Sequence, residues 1–263
     1  DPRVIKYLKL DSDNSDFYSP EILRIALGSQ DHHIMFYRDT KKTAKSIFKY
    51  SERDAQSWEN FVAYINKNTS FLENFYQLTP PKLPDFSLKE NLSMKSILKP
   101  LIKFGTKGLV DFMRIIPMSI PELMDEWFEN EMLKAAIAVS GVSHLSYGPF
   151  SSGTAYNLLH QQINSKGTFY NNNFIKGGTM QLVNKLKMIC QSENVEIKTN
   201  TAVNSIEVKN ETCLGVRLAS GDKIKAGKVV SGLDPNNTFF NLVGTKNINP
   251  TFITQLSNIK YRG

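Results

Sequence analysis

The stretch Val229-Val230-Ser231-Gly232-Leu233-Asp234-Pro235 carries the residue types of a strand end that faces a ligand. A short apolar run stops at Ser231–Gly232. Asp234 then reads as an N-cap and Pro235 as the first residue of a helix. In open α/β sheets ligands lie beyond the carboxyl ends of strands, where the loops diverge. At such a place Gly232 lets a ligand approach the backbone with no Cβ in the way, and N–H groups at the helix start can face a phosphate or a ribose. The same residues also serve a strand-to-helix turn for geometry alone. Gly177-Gly178, ahead of another helical run, poses the same two readings: backbone packed close to a flat ligand, or a flexible turn at an N-cap.

Other chemistries find little support. His32, His33, His144 and His160 show no HxH or HExxH spacing and read as structural histidines. No G-x-S-x-G elbow and no P-loop occur, which argues against those hydrolases and NTPases. Asp125 and Glu129 sit on an amphipathic helix as solvated charges. The glycine fingerprint G-x-G-x-x-G, which would cradle a pyrophosphate, is absent from the 263 residues. Cys190 and Cys213 supply neither a disulfide framework nor a thiolate metal site, and they point to a reducing, cytoplasmic setting. Lys+Arg 32 against Asp+Glu 25 gives a net charge of +7. The lysines are scattered rather than gathered into a basic stripe with aromatics, so nucleic acid is not expected as a partner.

The elements that must position these residues follow from periodicity. Residues 4–10, 22–27 and 33–38 read as short strands of a small antiparallel sheet. Ser51 caps a helix with Asp54 as an acidic third residue, and Trp58, Phe61, Val62 and Ile65 recur on its inner face. Three prolines within 79–86 mark a linker or a sharp reversal. Residues 88–116 predict a helical hairpin broken at Pro100 and Gly105. Its lysines alternate with apolar residues, and the other reading is a tunnel wall or a membrane surface. Ser119 and Glu122 form a capping box with Pro121 in the first turn, and further helices are expected over 154–163 and after Gly178. Four β-type runs follow, over 194–201, 202–210, 213–220 and 221–233. The middle ones read as a meander, and Val229–Leu233 as a return to a central sheet.

Five of these stretches, in this order, resemble the phytoene desaturase-like (phytoene dehydrogenase-related) FAD-dependent oxidoreductases of the amine oxidase superfamily. They are FYRDTKKTAKSIFKYSERDAQSWENFVAYI, SIPELMDEWFENEMLKAAIAVSGV, GPFSSGTAYNLLH, FIKGGTMQLVNKL and VVSGLDPNNTF. The resemblance runs over residues 4–262. It implies a mixed-sheet and helical substrate-binding domain joined to part of a glutathione-reductase-like FAD-binding domain with a β-meander, an α+β or α/β fold. Residues 1–175 would form the substrate-binding domain, 176–235 the returning part of the FAD domain, and 236–263 the start of a further substrate-domain segment.

The family's G-x-G-x-x-G and a second flavin segment lie outside the matched region, so the chain is expected to be the middle of a longer enzyme that binds FAD weakly by itself. Carried over by position, Val203 meets the adenine, and Ser231, Gly232 and Leu233 form the strand end near the adenosine. Gly177 and Gly178 lie by the flavin and the substrate cavity, with Tyr156 and His160 on the cavity wall. The chain has Gly232 where the family has asparagine and Leu233 where it has alanine, and the larger Leu233 is expected to crowd the adenosine. The implied chemistry is hydride transfer from an apolar or extended substrate to flavin, with no catalytic residue nominated. Two other readings are a non-catalytic binding module that has lost flavin, and a peripheral membrane protein using residues 95–116 as its surface.

Overall fold

The computed structural model describes residues 2–10, 17–29, 31–76, 88–163, 165, 168–170 and 173–261. They divide into two compact units, residues 1–182 and 183–262. Helices and strands are mixed in an α/β composition. All three sheets among the described residues are small and antiparallel.

In the first unit β1 (Phe17–Tyr18) pairs with β4 (Phe174–Ile175), and β2 (Ile22–Leu27) forms a hairpin with β3 (His33–Tyr37). Ile34 and Phe36 of β3 are buried while their neighbours are half-exposed, the period of two expected of a strand with one covered face. The N–H groups of His33, Met35 and Tyr37 donate to Tyr50 Oη, Ser46 Oγ and Thr43 Oγ1 at 2.9, 2.9 and 2.8 Å. Two of those hydroxyls sit on helix α2 (Thr40–Phe48) and Tyr50 follows it. Side chains thus occupy donors that would otherwise form an open ladder edge.

Residues 4–10, expected as a strand, instead belong to a short helix, α1 (Pro2–Tyr7), and the turn after it. Leu8 N–H reaches Val4 O and Leu10 N–H reaches Ile5 O. A helical turn satisfies its own backbone, whereas a strand needs a ladder partner that this segment lacks among the described residues.

Helix α3 (Glu52–Tyr76) carries the core. Ser51 Oγ accepts the Asp54 N–H at 3.1 Å, closing its N-terminus as the sequence predicts. The buried face holds Trp58, Phe61, Val62, Ile65, Phe71 and Leu72. Phe61 meets Phe128 edge-on at 4.9 Å and Trp58 meets Phe169 at 5.4 Å. Each such ring contributes roughly 1.5–3 kcal/mol of burial. The Asp54 carboxylate does not turn back on its own helix. It is fully buried and accepts the N–H groups of Glu129 and Asn130 at 2.9 and 2.8 Å. Those residues form the corner between α5 (Ile120–Trp127) and α6 (Glu131–Val142), where Asn130 Oδ1 in turn caps α6 by accepting Leu133 N–H.

Helix α4 (Leu88–Ile115) consists of two helical stretches joined across a kink at Gly105, at φ 72° and ψ 168°, as expected, whereas Pro100, the other expected break, lies within a helical stretch. The proline-rich stretch 79–86 lies outside the described residues. At α5 the capping box is present, since Glu122 accepts from both the N–H and the hydroxyl of Ser119. Helix α7 (Thr154–Gln161) is tied to its neighbours by two side chains. Thr154 Oγ1 accepts Ile120 N–H at 2.8 Å, and Asn157 Nδ2 donates to the carbonyls of Gly141 and Ser143 at 3.0 Å.

The second unit holds most of α8 (Thr179–Ser192), a meander of β5 (Val203–Lys209), β6 (Thr212–Leu218) and β7 (Lys223–Lys225), a π-helix at Asn237–Val243 and α9 (Pro250–Ser257). Asn210 and Glu211 take positive φ (49° and 60°), the geometry of a two-residue hairpin turn whose twist suits its strands. Glu207 on β5 accepts from Arg217 on β6 at 2.6 Å and Lys223 on β7 at 3.0 Å, linking all three strands. Gly215 sits at φ 136°, where a Cβ would lie 2.0 Å from Ile224 O. Of the four expected β-runs, 194–201 forms no ladder among the described residues, and 221–233 forms one only at β7, with none over 229–233. The return to a central sheet at Val229–Leu233, and with it the parallel part of a mixed sheet, is therefore not observed. Val229–Leu233 is largely apolar, but a strand assignment requires a paired neighbour, and in 194–201 Asn194 and Asn200 take positive φ (58° and 53°).

Candidate functional site

The residues singled out by sequence fall into two groups, one in each unit. In the second unit Ser231 and Leu233 line a cleft of about 380 Å³ with Ile206, Cys213, Phe239 and Val243. The floor is apolar because β5 and β6 turn Ile206 and Cys213 toward it and the π-helix supplies Phe239 and Val243. Ser231 Oγ is 2.7 Å from Thr238 Oγ1 and accepts Leu233 N–H at 3.2 Å, so its hydroxyl fixes the turn. Leu233 is 57% exposed and Val230 96% exposed. Gly232 has no atom within 4 Å of where a Cβ would stand, which leaves its backbone open to a ligand. Val203 is exposed at the start of β5, paired with Leu218, and does not line this cleft.

The helix start follows the N-cap reading of Asp234 and not the reading of open amides that face a phosphate. Asp234 Oδ1 accepts Asn237 N–H at 2.9 Å, and hydrogen bonding by the Asn237 backbone, then its side chain, holds the Asp234 carboxyl below its ordinary range. The Asn237 amide is therefore engaged by an anion belonging to the chain itself, and the Asn236 amide donates to Tyr261 Oη at 3.2 Å. A phosphate placed there would meet that carboxylate, so this terminus is not a phosphate cradle.

In the first unit Gly177 and Gly178 turn the chain from β4 into α8 at φ 79° and 88°. These angles, and the bond from Gly178 N–H to Ile175 O, account for the glycine pair as a turn requirement. Tyr156 and His160 lie one turn apart on α7 and are brought together by a residue the sequence reading missed. Tyr76, in the last turn of α3, places its hydroxyl 2.7 Å from His160 Nδ1 and 3.3 Å from Tyr156 Oη. Partial burial, then the hydrogen bond to Tyr156, pushes the Tyr76 phenol up to about 12. Nothing in the local sequence signals a partner 84 residues away. Among the described residues no group of three His, Cys, Asp or Glu could hold a metal. No described helix is long and apolar enough to cross a membrane.

Residues 5–238 match the family described as flavin containing amine oxidoreductase. The chain belongs to that family. FAD is accordingly its cofactor class, and the flavin amine oxidoreductase match takes in both groups of residues above. Among curated proteins, this family member is similar to "pyridine nucleotide-disulfide oxidoreductase domain-containing protein 2" of Rattus norvegicus, 25% identical over 260 residues, covering 96% of this chain and 45% of that protein. It is also similar to 4,4'-diaponeurosporene oxygenase of Staphylococcus aureus, strain bovine RF122 / ET3-1, at 22% identity over 218 residues, 82% of this chain and 40% of the relative. The chain thus spans about half the length of the curated relatives it matches. A solved structure of a putrescine oxidase triple mutant, redesigned in cofactor binding, aligns with TM-score 0.47 and 10% identity over 94% of this chain and 46% of that one.

The cleft offers an apolar lining beside an open glycine backbone, and the helix start next to it already carries the chain's own carboxylate.

Proposed function

We propose that this chain forms part of an FAD-dependent oxidoreductase that removes a hydride from an apolar or extended substrate. The observation that carries the reading is the family match over residues 5–238, which takes in the open apolar cleft at Ser231–Leu233. When bound, FAD supplies the acceptor for the two electrons that leave a C–H or C–N bond as hydride.

The chain's own residues have positioning roles in this reading. Leu233 and the Gly232 backbone hold the adenosine, with Ser231 fixing the turn through Thr238. Asp234 turns its carboxylate toward its own helix and leaves the pyrophosphate to be gripped by other groups. Gly177 and Gly178 keep the backbone low beside the flavin and the substrate. Tyr156, His160 and Tyr76 form a linked polar wall, and Tyr76 stays protonated across the physiological range. Excluding water and orienting a C–H bond accounts for a site without an obligatory acid–base pair.

Titration of the purified chain with FAD, read by flavin fluorescence anisotropy, tests the assignment. Weak, saturable binding that AMP competes and riboflavin does not is the expected result, with Leu233→Asp weakening it by roughly tenfold through a charge in an apolar cleft. Competition by riboflavin alone would place the wrong end of the cofactor at this cleft. Stoichiometric FAD retained through gel filtration would overturn the view that the phosphate grip lies elsewhere.

A further inference from the structure

A second cavity, of about 580 Å³, lies between α3 and α4 and opens to solvent. None of its lining residues belongs to the cofactor or substrate-wall groups above. Its floor is the stacked pair Phe71 and Phe104, with ring centroids 4.0 Å apart and planes within 1° of parallel. Pro100 forms an apolar lip that offers no N–H. Around this floor stand three ammonium groups, those of Lys67, Lys99 and Lys103. Lys67 Nζ is 5.3 Å from the centre of the Phe104 ring. None of the three has a carboxylate partner among the described residues, although acids elsewhere in the first unit pair with Lys42, Arg53, Arg114 and Lys134.

An apolar floor with three unpaired cations at its rim is complementary to one kind of molecule. Its body must cover the half-buried Pro100 and the narrow edges that Phe71 and Phe104 leave exposed (4% and 9%), and its head must carry negative charge. A neutral hydrocarbon would leave the ammonium groups unused, and a small inorganic anion would leave Pro100 and these edges uncovered. We propose that this cavity binds an amphiphilic anion, a chain or flat apolar body ending in a carboxylate or phosphate. The apolar body lies over the phenylalanine pair and the head sits among Lys67, Lys99 and Lys103. This site does not depend on the flavin reading, and it is tested without FAD.

The test is isothermal titration of the chain with dodecanoate and dodecyl phosphate below their micelle concentrations. Dodecanol, inorganic phosphate and phosphatidylglycerol vesicles are run in parallel. Saturable binding of either amphiphile at one site, tighter than dodecanol and tighter than phosphate, is expected. Lys99 and Lys103 are exposed, so Lys99→Gln with Lys103→Gln should leave the fold intact and weaken amphiphile binding by roughly tenfold, while arginine at both positions retains it. Equal affinity for dodecanoate, dodecyl phosphate and dodecanol, or an undiminished affinity in the double glutamine variant, would overturn the proposal. Phosphate binding as tight as either amphiphile would reduce the cavity to an anion site. Binding to vesicles without binding to the free amphiphiles would make it a membrane surface; either of these also overturns the proposal.

Discussion

Asp54 shows what a single carboxylate can hold together. Its two oxygens accept the backbone N–H groups of Glu129 and Asn130 inside a fully buried site. Asp54→Ala leaves both donors without partners, and by the usual cost of orphaned buried groups the loss is about 2–5 kcal/mol, read as a lower urea midpoint. Asp54→Asn offers only one acceptor oxygen and should fall between the two. Spacing alone placed Asp54 in the first turn of a helix, which is correct. Its partners lie 75 and 76 residues away, and no periodicity reports on that. Tyr76 is the second case. Its phenol is raised to about 12 from an ordinary value of 10.0, so the folded state holds the proton more tightly than the unfolded chain does. The stability it contributes is whole below pH 10.0 and is lost as the pH rises through about 12. An ultraviolet titration should show this late tyrosine, and Tyr156→Phe should move it back toward the ordinary value by removing its hydrogen-bond partner.

Among the elements, helices were legible and strands only in part, for reasons that differ by segment. α3 and α5 announce themselves through caps and a 3.6-residue apolar stripe, both local signals. The β5–β6 hairpin announces itself through Asn210 and its alternating flanks. Residues 4–10 and 229–233 have the composition of strands, yet strand formation depends on a neighbour that the sequence window cannot supply. Gly215 was not singled out, because the need for it arises only when β7 lies alongside β6. A Cβ there would press into Ile224 O. Gly215→Ala should therefore cost about 2 kcal/mol or more, combining a strained φ with a backbone clash, and should lower the melting temperature of the second unit. Alanine tolerated at that position without a shift would mean that β7 leaves the sheet easily.

At the level of the molecule, the two units differ in how much they bury. The first has a continuous aromatic and aliphatic core running from Phe36 through Trp58 and Phe61 to Phe128. In the second, α8 has no buried residue, and Ile206 and Leu256 are the buried hydrophobic residues among those described. That contrast explains why the candidate site was half legible. The order of motifs pointed to the flavin amine oxidoreductase family, and the family match bears this out. The helix start after Leu233 carried two readings in the sequence, an aspartate N-cap and amides open to a phosphate or ribose, because both share the same letters. Only the direction of the Asp234 carboxylate separates them.

The short strand β7 has a consequence beyond its own hairpin. As the last strand of its sheet it presents one row of backbone groups that no neighbouring strand takes up among the described residues. Its sequence is Lys223-Ile224-Lys225, and all three residues are exposed. A second molecule adding a strand there would bring its own lysines against these two, and would have to strip water from ammonium groups to do so. Three residues also give too short a template for a growing ribbon. The two lysines of this edge, Lys225 and the Glu207-paired Lys223, thus oppose the addition of a further strand.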